Sequence, residues 1–252
     1  MSRWRRILAW FAIAVVVFAI CAWLFGAQTA IALEARRLAR KSPVMWKVPV
    51  ELADASVSES PGEKLSYLGC EFEVPWSDLD QPKTRLIGTW QIIGFQSGKG
   101  IILTKFPANE RVNTFPVMGE KLDVNALRTL RHLYGYETLR SDYAFTRATL
   151  EMTPGDISIF ATRKEAIRAL MLLAFKPIMA RDAGSGIYAV QTKDFRGFQY
   201  GNPQSRPSEV VDELFSDEER YEFTFHCWGK GSTPCISQPE INRVIQSARL
   251  VH

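Results

Sequence analysis

Four groups of residues in this 252-residue chain have types and spacings that bear on chemistry. The first, Gly94-Phe95-Gln96-Ser97-Gly98-Lys99-Gly100, is spaced almost like a phosphate loop. Its first Gly stands one residue too close to the Gly98-Lys99 pair, and Gly100 replaces the Ser/Thr that would hold magnesium. A β-rich run, Ile101 to Phe106, follows where phosphate binding needs a helix N-terminus. A hairpin loop is therefore expected. The second group is the three histidines, His132, His226 and His252. None has a metal-ligand spacing. A site built on His226-Cys227 with Cys235 fails because neighbouring strand residues point to opposite faces. Neither a metal nor a cofactor is expected.

The third group is the carboxylates. Asp78, Asp80 and the run Asp217-Glu218-Glu219 read as surface and turn residues. Neither a Gly-x-Ser-x-Gly elbow nor a Cys-x-x-Cys pair is present, so no catalytic residue is assigned. A site gathered through space from Asp78, Asp80 and His226 is the alternative, hydrolase-like reading. The fourth group is the cysteines. Cys227 and Cys235 would close a short loop holding Gly229, Gly231 and Pro234, and form the candidate disulfide. Three buried free thiols, Cys70, Cys227 and Cys235, are the competing reading. Exposed aromatics, Trp76 and Trp228 above all, are the candidate partner contacts, although tryptophan on a strand face more often packs beneath a helix.

The elements that position these groups are legible from periodicity. Tyr67 to Val74 alternates, and Pro75 stops it, so one half-buried strand is expected. Thr84 to Phe95 and Ile101 to Phe106 form a hairpin. A helix is expected from Asp123 to about Tyr134, with Gly135 at its C-terminal cap. Thr162-Arg163-Lys164-Glu165 is a capping box that opens a second helix, with Lys176-Pro177 as its stop. Gly186 to Lys193, Phe195 to Tyr200 and Glu209 to Phe215 read as strands. Tyr221 to Trp228 is the clearest strand, with Tyr221, Phe223, Phe225 and Cys227 on one face. Ser237-Gln238-Pro239-Glu240 is a second capping box, with Ile236 stapled to Ile241. Strands, two helices, a strand meander and a last helix imply an α+β domain with helices packed on a largely antiparallel sheet.

Charge and hydropathy divide the chain. The formal net charge is +4, yet residues 1–47 carry +7 and the remainder −3, so the basicity does not describe a nucleic-acid-binding domain. Residues 7–25 form an uncharged apolar run with arginines before it and tryptophans near both ends. That pattern predicts one transmembrane helix in the bilayer. A signal peptide cleaved near Ala30-Ile31-Ala32 is the rival. Arg36, Arg37, Arg40, Lys41 and Lys47 nearly balance Arg3, Arg5 and Arg6, which leaves the orientation close to a tie; a short tail before a single anchor favours export, and a cytoplasmic domain remains open. The expected organisation is an anchor at 1–33, a basic juxtamembrane segment and linker at 34–59, and one α+β domain at 60–252.

Leu68-Gly69-Cys70-Glu71-Phe72-Glu73-Val74-Pro75-Trp76 resembles the opening strand-then-Pro of PsbP/Mog1-like domains. The run from Tyr221 to Trp228, a loop and a helix ending Ile245-Gln246-Ser247-Ala248-Arg249-Leu250 is similar to that family's close. The resemblance covers about a tenth of the chain and implies an α/β/α sandwich around an antiparallel sheet. It implies binding or assembly work, with no site residue to carry over. The expected function is thus a membrane-anchored, extracytoplasmic, periplasmic if bacterial, binding or assembly-factor domain with an envelope protein as partner.

Overall fold

The computed structural model describes residues 25–53, 62–114, 135, 137–180, 186–203, 209–227 and 236–251. Its frame is a mostly antiparallel sheet of eight strands. The strands are β1 (Val50–Glu51), β4 (Arg85–Ile87), β5 (Trp90–Gly94), β6 (Lys99–Pro107), β7 (Gly186–Gln191), β8 (Arg196–Asn202), β9 (Glu209–Phe215) and β10 (Glu219–Cys227). Their order is β1-β7-β8-β9-β10-β6-β5-β4, and only β1 runs parallel to its neighbour. A small sheet pairs β2 (Glu63–Tyr67), β3 (Cys70–Val74) and β11 (Arg249–Leu250).

Alternation assigns the two faces of the large sheet. Ile93, Ile101, Leu103, Leu214, Tyr221, Phe223 and Phe225 pack with Phe72 and Val74 of the small sheet. They also pack with Ile241, Val244 and Ile245 of the helix α5 (Gln238–Ser247). Burying seven such side chains, at about 1.5–3 kcal/mol each, makes this layer the main core. On the opposite face Ile187, Phe198, Tyr200 and Phe215 pack under Leu150 of the helix α3 (Asp142–Glu151). Gly197 is required where β8 meets β9, because a Cβ there would run into the Glu213 carbonyl.

Several expected elements stand where the pattern put them. The Thr162 capping box opens α4 (Arg163–Met179), and the Ser237 capping box opens α5. The hairpin between β5 and β6 turns over Gln96-Ser97-Gly98, so the phosphate-loop look-alike is a turn. Other expectations are corrected. The run 67–74 is the end of β2, a turn at Leu68-Gly69 and β3, with φ of 54° and 83° at the two turn residues. Glycine takes such angles freely, but leucine does so rarely. The Tyr221 hydroxyl lies 3.1 Å from the Leu68 carbonyl, and the Val251 N–H donates to that of Gly69, which holds the turn in place. The run 84–95 is likewise two strands, broken at Gly88 with φ of 62°. Pro177 does not end α4, which continues to Met179: the proline withholds a donor from the Leu173 carbonyl in the turn before it, but the chain after it stays helical and the Ala180 N–H donates to the Lys176 carbonyl at 2.8 Å. The expected helix at 123–134 lies outside the described residues.

The expectation of a single-pass membrane protein with an extracytoplasmic domain is also corrected. Among the described residues no helix is long and apolar enough to cross a membrane. The apolar run at 7–25 lies outside the described residues except for Phe25. The helix α1 (residues 25–41) instead packs within the fold. Its Ala32, Ala35 and Ala39, with Met45, are buried against Ala166, Ala169 and Leu173 of α4. Alanines facing alanines let the two backbones approach closely. The cations Arg36, Arg37, Arg40 and Lys41 lie on the rest of α1, away from that seam.

Candidate functional site

The most polar part of the interior lies between α3 and the sheet. The short helix α2 (Glu110–Thr114) places Arg111 over β9, where its guanidinium grips the Glu213 carboxylate at two points, 2.8 and 2.7 Å. Tyr200 Oη donates to the same carboxylate at 2.5 Å, and Arg111 also donates to Thr146 Oγ1 of α3 at 2.7 Å. Burial works against the charge on Arg111, but Glu213 beside it outweighs burial and holds the guanidinium above its ordinary pKa. Burial would likewise raise Glu213, and the Arg111 charge with its hydrogen bonds reverses this, holding the carboxyl below its usual range. Burial, then Glu213, pushes Tyr200 up, so it stays a neutral donor. Asp142, at the first position of α3, accepts the backbone N–H groups of Arg111 and Val112 at 3.0 and 2.9 Å. One carboxylate thereby ties α2 to α3.

Asp142 alone of these residues also lines a cavity of about 400 Å³ at one end of the sheet, between the start of α3 and the β9–β10 turn. Arg220 of β10 lies in it with a side chain only 6% exposed. Its guanidinium stacks 3.9 Å over the Phe106 ring. Asp142, Glu222 and Glu110 stand 3.6, 3.7 and 3.8 Å away, beyond hydrogen-bond length. The Arg220 Nε–H has no hydrogen-bond partner among the described residues. The exposed Arg196 guanidinium sits 4.2 Å above the Tyr143 ring, and exposed Arg140 also lines the cavity. Arg147 pairs with Glu151. Glu219 is held by Lys105 and Tyr221 Oη, at 2.5 and 2.6 Å. A second cavity of about 640 Å³, beyond the same turn, shares Arg196, Phe215 and Asp217 with the first.

The residues named from sequence fall elsewhere. Asp78 accepts the Ser97 backbone N–H at 2.7 Å and so shapes the β5–β6 loop, while Asp80 pairs with Lys83 at 2.7 Å. Their carboxylates serve the backbone and a lysine. His226 lies on β10 opposite Gly100 of β6. Among the described residues no three His, Cys, Asp or Glu side chains are grouped to hold a metal. Trp76 is 5% exposed, which corrects its expected role as a partner contact. Its indole donates to Glu240 Oε1 at 2.7 Å and meets Phe95 edge-on at 4.9 Å. Glu240 also receives Lys99 at 2.8 Å and closes the capping box with Ser237, so one carboxylate pins α5 to the tryptophan and the hairpin. Trp228 lies outside the described residues.

Cys70 is a buried free thiol that burial pushes up to about 12, well away from reactivity. Cys227 is disulfide-bonded, and its expected partner, Cys235, lies outside the described residues. Non-reducing peptide mapping is expected to recover one linked fragment holding both cysteines. Separate fragments in the absence of reductant would exclude that pairing.

Sequence reasoning missed the arginine cavity. One signal was available: Glu213 stands between Val211 and Phe215 on one face of β9, and a buried charge there needs a partner. No protein-family model matches the chain, and no curated protein does.

Proposed function

We propose that this chain is a binding domain that recognises an acidic ligand in the cavity between α3 and the β9–β10 turn. The observation that carries the reading is the chemistry of the lining. Of the acids in the lining, Asp142 and Glu219 are already engaged and Glu137 and Asp217 also line it, whereas Arg140, Arg196 and Arg220 are not hydrogen-bonded to an acid. Its volume falls within the roughly 300–1,000 Å³ of small-molecule sites. The resemblance to PsbP/Mog1-like domains agrees with a binding or assembly role. The hydrolase reading loses support because Asp78 and Asp80 have local structural partners.

Thermal unfolding of the full chain against a panel of acidic, neutral and basic small molecules tests the reading. A ligand that binds only the native state raises the unfolding temperature by mass action. Acidic compounds alone are expected to raise it, to lose the effect in Arg196→Glu, and to be recovered with unchanged mass. A panel in which no acidic compound stabilises the chain, or in which one is converted, would contradict the reading.

A further inference from the structure

On β9, Asp212 alternates with Val210 and Leu214, so it faces the main core, on the side of the sheet away from Glu213. It is 0% exposed and lies opposite Gln199 of β8 and Phe223 of β10. Gln199 Nε2 donates to its Oδ1 at 2.9 Å, while its Oδ2 has no hydrogen-bond partner among the described residues. From Gln199 a chain of polar side chains runs on to α5. Gln238 Nε2 donates to Gln199 Oε1, and to Asn242 Oδ1 at 2.7 Å. Asn242 Nδ2 and Gln246 Nε2 then donate to the Ala53 carbonyl at 3.0 and 3.1 Å. The chain crosses the layer in which Val210 and Leu214 meet Ile241, Val244 and Ile245. We infer that Asp212 is a neutral carboxylic acid that anchors this chain as a latch of α5 on the sheet, and that its ionisation opens the latch.

The surroundings decide the protonation state. An ionised carboxylate buried with a single amide donor is far from compensated for the water it has lost, and the neutral acid avoids most of that cost. The charged or titratable groups on the elements around it are Tyr188 of β7, Lys105 of β6, Glu219 and Tyr221 of β10, and Glu240 and Arg243 of α5. Lys105, Glu219 and Tyr221 engage one another, Glu240 holds Trp76 and Lys99, and Arg243 holds Glu73. None is a counter-charge for Asp212. Burial accordingly pushes its carboxyl well above the ordinary 3.8, with the Gln199 hydrogen bond opposing. Once α5 lifts, water reaches the carboxyl and its ordinary value returns. Between the two values the closed form keeps a proton that the open form has released. Opening is therefore favoured tenfold for each unit of rising pH in that window, and the latch is tightest below it.

The test is hydrogen exchange of the full chain between about pH 5 and 7, with intrinsic exchange rates divided out. The opening constants of the Ile241, Val244 and Ile245 amides are expected to rise about tenfold per unit in wild type. In Asp212→Asn they are expected to stay flat, because the amide keeps the shape of the neutral acid and has no proton to lose. The Leu172 and Leu173 amides of α4, which pack in other clusters, are expected to stay flat in both proteins. Carboxyl-carbon NMR of ¹³C-aspartate-labelled wild type reads the acid directly and does not depend on the variant folding. One aspartate signal, Asp212, is expected at the protonated position at pH 6, where ordinary aspartates are ionised. No protonated aspartate at that pH, or an α5 opening constant that ignores pH in wild type, would overturn the inference. So would an equal rise in Asp212→Asn, or one shared by α4, which would make the opening a property of the whole fold.

Discussion

Glu213→Ala is expected to destabilise the chain by about 3–5 kcal/mol, the range for removing one partner of a buried ion pair. The loss is large because the carboxylate is 2% exposed and has three donors on it, two from Arg111 and one from Tyr200. Without it, a cation and a hydroxyl remain buried with no acceptor. The pair itself is not expected to be worth that much. Replacing both members by apolar residues, Arg111→Met with Glu213→Leu, should recover most of the loss, because desolvating two charges offsets much of their attraction. The pair also carries a pH dependence. The folded pKa of Glu213 lies below its ordinary 4.5. Its stabilisation is therefore fully present above that value and is lost as the pH falls through the lower, folded one. Urea unfolding of the single and double variants measures all three. A cost under about 1 kcal/mol for Glu213→Ala would show that Arg111 finds water or another acceptor.

Lys176 gives the second large effect, with the opposite sign in pH. It is fully buried in α4, and its ammonium donates to the Met152 carbonyl at 2.7 Å. Burial brings its pKa down from 10.5 to about 8, with Asp156 opposing part of that fall. Between those values the unfolded chain binds a proton that the folded chain does not, so stability rises with pH across that window. At 1.36 kcal/mol per unit the rise amounts to roughly 3 kcal/mol. Below pH 8 the lysine is charged in both states, and this gain is absent. Lys176→Met removes the titration. The difference in unfolding free energy between wild type and variant should therefore shift by roughly 3 kcal/mol in favour of wild type from pH 7.5 to 10.5. A difference that stays flat over that range would mean the ammonium reaches water.

The reach of the sequence follows from where each signal is local. Both capping boxes, Thr162 to Glu165 and Ser237 to Glu240, are four-residue patterns whose partners lie within the pattern, and both open the helices expected of them. The alternation of Tyr221, Phe223 and Phe225 is equally local, and β10 lies at the centre of the sheet. The turn at Leu68-Gly69 was hidden because leucine rarely takes a positive φ, and its support comes from Tyr221, 153 residues away. The helix α3 was hidden for a related reason. It buries Asp142, Thr146 and Thr149 beside Phe145 and Leu150, so polar residues interrupt the apolar positions of its inward face. A helix that packs on an ion-pair network reads as polar in one dimension. The cavity follows the same logic. Arg140, Tyr143, Arg196 and Arg220 come from a loop, a helix and two strands, and only the pairing of β8, β9 and β10 brings them to one end of the sheet.

Calorimetric titration with whichever of phosphate or succinate binds wild type, repeated on Arg140→Gln with Arg196→Gln, is the most direct test of the arginine cavity as a recognition site. Both side chains are exposed, so the variant should unfold at the wild-type temperature. The expected result is a dissociation constant raised more than about tenfold at that unchanged stability, together with affinity in wild type that falls as salt screens the guanidinium groups. Equal dissociation constants for the two proteins would contradict the assignment.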